Sequence, residues 1–87
     1  MQVIGEIHHP QCRITLLKWN NRYIIKIEKG LLEQTFKINE FDFPDEEALK
    51  KLVSAEFIRE ALERFQSMHK SVDRALDDAD KGRNGEK

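Results

Sequence analysis

Cysteine occurs once in the 87 residues, at position 12, so no disulfide can close within the chain. A reducing compartment is the expectation. No stretch approaches the ~18 consecutive apolar residues that cross a bilayer. The opening MQVIGEIHH lacks the basic segment and long apolar run of a secretory leader. These absences predict a soluble, cytoplasmic protein. Charge of one sign is also lacking: 36% of residues are charged, yet the net charge is −1. The whole molecule therefore exerts no pull on nucleic acid or on an anionic membrane. There is no Gly-rich phosphate loop, no Ser/His/Asp arrangement and no carboxylate pair set apart for acid–base work. No enzymatic activity and no cofactor are expected. His8, His9 and Cys12 lie close together, but zinc patterns need a second ligand pair and only His69 remains elsewhere. No metal is expected, and Cys12 reads as a small packed residue.

What is present is a run of strand-like segments. Residues 12–38 read CRITLLKWNNRYIIKIEKGLLEQTFKI. Asn20-Asn21 and Lys29-Gly30 suit two-residue hairpin turns, because Asn and Gly tolerate positive φ. With Asn20-Asn21 as the turn, Trp19 faces Arg22, Leu17 faces Ile24, Thr15 faces Lys26 and Arg13 faces Glu28. With Lys29-Gly30 as the turn, Lys26 faces Glu33 and Tyr23 faces Phe36. Opposite charges meet and rings meet, as cross-strand pairing favours. Residues 2–8 alternate weakly and supply a first strand. His9-Pro10 ends it, since proline has no N–H for the ladder. A loop there sets Ile7 against Cys12 and Glu6 against Arg13. The prediction is an antiparallel meander with strands near 2–8, 12–19, 22–29 and 31–38.

One face of that sheet gathers Val3, Ile7, Cys12, Ile14, Leu16, Tyr23, Ile25, Ile27, Leu32, Phe36 and Ile38, and is the predicted core face. Gln34 is the one uncharged polar residue on it, with no evident partner. Pro44 ahead of Asp45-Glu46-Glu47 marks a helix start, with acids at the positive end of the dipole. Apolar residues then recur at helical spacing from position 49 to 76. A single rod over 45–76 would be ~48 Å long, against ~27 Å for an eight-residue strand. Either the helix breaks, with Ser54 capping a second segment, or its far half projects and its stripe of Phe65, Met68, Val72 and Leu76 needs a partner. Residues 77–87, DDADKGRNGEK, are polar and predict a disordered tail after a single domain over 1–76.

The two halves differ in charge. Residues 1–38 hold six Lys/Arg against three Glu, and residues 39–87 hold nine basic against thirteen acidic groups. The opposite sheet face carries Ile4, Arg13, Thr15, Leu17, Trp19, Arg22, Ile24, Lys26, Leu31, Thr35 and Lys37, which is less polar than a solvated face should be. One helix covers one face, so an exposed apolar patch of a few hundred Å² is expected there, a size that marks contact sites. Two uses fit it. Rings among cations hold single-stranded nucleic acid by stacking and phosphate contact. Alternatively the face is a homodimer interface, with Ile4, Leu17 and Ile24 joined by Phe65, Met68 and Val72 of the helix.

The meander of residues 12–38 followed by a helix resembles the small single-stranded-DNA-binding fold of positive-cofactor-type transcriptional coactivators and the plant Whirly proteins. The resemblance is topological and covers roughly residues 2–70. It implies a dimer or larger ring, with Arg13, Trp19, Arg22, Lys26 and Lys37 as the strand-binding residues. The coactivators are strongly basic on this face, whereas Glu6, Glu28 and Glu33 interrupt it here. The fold class predicted is α+β, a four-stranded antiparallel β-meander followed by a long or broken C-terminal helix packed on one sheet face. The function predicted is a small non-enzymatic binding module, for single-stranded nucleic acid through the outer face. The alternative is a homodimeric structural or protein-interaction domain.

Overall fold

The computed structural model describes residues 1–85, and the side chains of residues 1–81. Four strands form one open antiparallel sheet in the order of the chain: β1 (Gln2–His9), β2 (Cys12–Trp19), β3 (Arg22–Lys29) and β4 (Leu32–Asn39). A 3₁₀ turn (Glu40–Asp42) leads to α1 (Glu46–Leu52) and α2 (Ala55–Gly85). The α+β meander with a C-terminal helix is the architecture expected, and the helix takes the broken form.

The central hairpin has the predicted register throughout. Trp19 pairs with Arg22, Leu17 with Ile24, Thr15 with Lys26 and Arg13 with Glu28. Asn20 and Asn21 turn the chain with φ of 57° and 64°, the doubly positive pattern whose twist matches flanking strands. The other two hairpins differ from expectation. The β3–β4 turn is Gly30-Leu31, not Lys29-Gly30, and the register is displaced by two: Lys26 lies opposite Thr35, and Tyr23 opposite Ile38. The reason is Gly30, whose φ of 60° is needed at the first of the two central positions. Lys26 and Glu33 still form an ion pair, diagonally, at 3.5 Å.

On the other edge, Pro10-Gln11 is the turn, and Ile7 faces Ile14 rather than Cys12. The pairing then shifts between Val3 and Gly5, so Ile4 is an extra residue in the ladder. This bulge exchanges two predicted faces. Ile4 packs against the core, whereas Val3 is 59% exposed. Elsewhere a displacement of two residues preserves sidedness, so the predicted core face stands.

That face lies under the helices. Ile14, Leu16, Tyr23, Ile25 and Ile27 form one buried cluster with Leu49 of α1, Val53 between the helices, and Ile58, Ala61 and Phe65 of α2. Phe57 adds an edge-on contact to Phe36 at 5.2 Å between centroids. Asp45 caps α1 by accepting from the Ala48 N–H at 2.9 Å, and Ser54 caps α2 by accepting from the Phe57 N–H at 3.1 Å. Such oxygens satisfy amide donors that a helix start leaves unbonded. Gln34 is bonded at both ends of its amide. Its amide nitrogen donates to the Ala61 carbonyl at 2.7 Å, and its oxygen accepts from Arg64 Nε at 2.9 Å. The buried polar residue is thus a bolt between β4 and α2.

The α2 rod is ~46 Å long by its residue count, longer than the strands it crosses. Every residue from His69 to Lys81 is exposed, and the molecule measures 59 × 27 × 18 Å. Residues 77–85, where composition predicts disorder, continue the helix. The same expectation for residues 86 and 87 lies outside the described residues. Gly30 offers a clean test of the turn, because an added Cβ would touch nothing within 4 Å. Gly30→Ala should therefore cost about 1–2 kcal/mol from left-handed backbone strain alone. A lower denaturant midpoint at unchanged slope is the expected reading, and an unchanged midpoint would contradict this turn.

Candidate binding surfaces

The pleat arranges the outer face in four rows, set by the strand register. Trp19 and Arg22 share the row next to the Asn20-Asn21 turn. Val3, Leu17, Ile24 and Lys37 form the next. Glu6, Thr15, Lys26 and Thr35 follow, and then His8, Arg13, Glu28 and Glu33. In the last two rows both cations have acidic neighbours. Arg13 meets Glu6 at 3.5 Å and sits opposite Glu28, and Lys26 meets Glu33 at 3.5 Å. Of the five cation or ring residues predicted to contact nucleic acid, Arg13 and Lys26 are thus neutralised by neighbours.

Trp19, Arg22 and Lys37 come together at the other end. Trp19 is 48% exposed, Arg22 pairs directly across from it, and Lys37 is the diagonal neighbour of Arg22. Among the described residues neither Arg22 nor Lys37 has an ion pair. This corner is a half-open ring beside two uncompensated cations.

The expected apolar patch on this face is smaller than predicted. Leu17 and Ile24 are only 9% and 5% exposed, although neither belongs to the helix-covered core. The surrounding side chains on their own face shield them. Ile4 has moved to the core through the bulge, and Leu31 sits in the hairpin turn, away from the face. Of the predicted dimer contacts on the helix, Phe65 is buried against the sheet and Met68 is packed against the core, while Val72 is exposed. Most of the predicted interface is therefore occupied by the chain's own packing.

A second surface takes its place. Leu31 is fully exposed, and Val72 and Leu76 are 44% and 63% exposed on the projecting half of α2. With Leu32, Phe65 and His69 they line an open groove of about 590 Å³ between the β3–β4 turn and α2. Lys29 stands at its hairpin lip and Asp73 at its helix lip. The helical spacing of Phe65, Val72 and Leu76 was visible beforehand. Leu31 was not, because its place beside the helix depends on the turn being Gly30-Leu31.

Two polar features lie elsewhere on the molecule. Glu40 holds Lys18 at 3.0 Å and raises the ammonium above its usual range through that hydrogen bond and its charge. With the Glu40 N–H donating to the Asn21 carbonyl at 3.1 Å, this pins the exit of β4 to the β2–β3 turn. A shallow hollow at the His9-Pro10 loop is lined by His8, His9 and Cys12. His9 Nδ1 accepts from the Gln11 N–H at 3.1 Å. Among the described residues no three His, Cys, Asp or Glu side chains come together as a metal site, and no helix is long and apolar enough to cross a membrane. Burial raises the Cys12 thiol above its usual range, and Lys29 offsets this only in part. Less thiolate is then present near neutral pH. Iodoacetamide at pH 7.5 should alkylate Cys12 more slowly than a free cysteine peptide, and faster alkylation would contradict that environment. No protein-family model matches the chain, and no curated protein or solved structure matches it either.

Proposed function

We propose that the protein is a non-enzymatic protein-interaction module whose docking element is the projecting half of α2. One observation carries this reading: Val72 and Leu76 continue the core stripe beyond Phe65 and Met68, yet stay 44% and 63% exposed. Apolar surface removed from water contributes roughly 25 cal/mol per Å². Leaving this stripe open forgoes that stabilisation unless a partner supplies it. The helical extension adds to the argument. Residues 69–81 are all exposed and include four Asp, which are poor helix formers. Helices of this length are marginal without packing.

The test separates a folding role from a docking role. If the two side chains serve a partner, Val72→Asp combined with Leu76→Asp should leave the melting of the dilute protein within about 0.5 kcal/mol of the parent. Phe65→Ala, inside the core, should cost about 3–5 kcal/mol. A loss in the double variant approaching that of Phe65→Ala would overturn the docking reading. Sedimentation of the unmodified chain reports whether a second copy is the occupant.

The Trp19–Arg22–Lys37 corner favours a second reading, contact with single-stranded nucleic acid. Stacking on Trp19 would be worth ~1–3 kcal/mol per base, with the two uncompensated cations on phosphates. Titration with a labelled single-stranded oligonucleotide should then show micromolar, steeply salt-dependent binding that weakens on Trp19→Ala. Absence of binding at low salt would remove this reading and leave the first intact.

A further inference from the structure

The groove beside α2 has a chemical polarity that bears on what docks in it, and this inference rests on the docking reading above. Asp73, Asp77 and Asp80 recur at i, i+4 and i+7, so at 3.6 residues per turn they share one edge of the helix. That edge adjoins the stripe of Val72 and Leu76, and Asp73 lines the groove itself. His69 lies 3.7 Å from Asp73, and Lys81 lies 3.4 Å from Asp77. Both pairs are solvent-exposed, and exposed ion pairs of this kind are weak. Residues 73–80 hold four Asp and one Arg.

A second copy of the chain is a poor match for this edge. Antiparallel packing of two α2 helices brings like edges together, setting carboxylate against carboxylate. Parallel packing sets the acidic edge against the opposite one, where Ser71 and Asp78 lie by the same spacing. Neither arrangement brings a row of cations to the acids, and like charges across an interface oppose association. We infer that the groove between the β3–β4 turn and the projecting half of α2 receives a basic amphipathic helix of another protein. Its apolar face lies on Leu31, Val72 and Leu76, and its Lys or Arg flank lies over Asp73, Asp77 and Asp80. This is the helix-in-groove mode of recognition, with charge choosing the partner and its orientation.

The experiment uses the full chain and two labelled synthetic helices of the same length and apolar pattern, one with Lys and one with Glu at every polar position. Fluorescence anisotropy should show the Lys peptide binding at least about tenfold tighter than the Glu peptide. Leu76→Asp should weaken the Lys peptide by about tenfold or more, although it adds a negative charge that would strengthen mere electrostatic adhesion. Asp73→Lys with Asp77→Lys should weaken it to a similar degree. Equal affinity for the two peptides, or indifference to Leu76→Asp, overturns the inference. Equal affinities that both fall on Leu76→Asp would remove the charge preference and leave the docking surface standing. So would a chain that sediments alone as a dimer and becomes a monomer on Leu76→Asp. If the Val72→Asp, Leu76→Asp double variant melts early, the docking reading fails together with this one.

Discussion

Contact between Ala61 of α2 and Gln34 of the edge strand β4 governs the rest of the molecule. Ala61 is fully buried, and its small side chain lets the helix backbone come close to β4. There the Ala61 carbonyl receives the Gln34 amide while Arg64, one turn on, donates to the same side chain. An apolar stripe alone leaves a helix free to roll or slide, because hydrophobic burial is non-directional. Two directional bonds at a buried point remove that freedom. With the rotation of α2 set there, 3.6-residue periodicity decides everything further along. Phe65 falls into the core, and Val72 and Leu76 fall on the same side about two and three turns later, in the exposed half of the helix. The buried stripe and the docking stripe are one feature divided by where the strands end.

The outer face shows how an uncovered sheet side is managed without a second layer. Leu17 and Ile24 sit at its centre and stay nearly dry under their neighbours. Arg13, Lys26, Glu6 and Glu33 neutralise one another in the rows nearest the Pro10 and Gly30 turns. Such exposed pairs contribute little to stability, but they offset both cations on that half of the face. The remaining corner keeps its charge, with Trp19 between strand end and solvent. A face that looked uniformly mixed in sequence is thus divided into a half whose cations all have acidic neighbours and a cationic, aromatic corner.

The strands were legible almost to the residue, because alternation and turn residues are local signals. So was the central register, where Asn20-Asn21 admits one two-residue turn and four cross-strand pairs agree. The flanking registers were not. Lys26 and Glu33 satisfy each other across a diagonal as well as directly opposite, so charge matching could not detect a displacement of two residues. The bulge at Ile4 left no mark in a weakly alternating first strand. Nor did composition foretell that helix would continue through residues 77–85, where polar residues and glycines read as tail.

Sequence by itself determined the meander, which side of β2, β3 and β4 faces inward, and the stripe along α2, since each follows from periodicity within a few residues; it offered Ser54 as a cap but left open whether the helix breaks there. Tertiary structure alone decided that Ile4 turns inward, that Gln34 joins strand to helix, and that Leu31 stands across a groove from Val72 and Leu76. Those outcomes depend on groups distant in the chain meeting at bonding distance, and no local pattern encodes where such meetings occur.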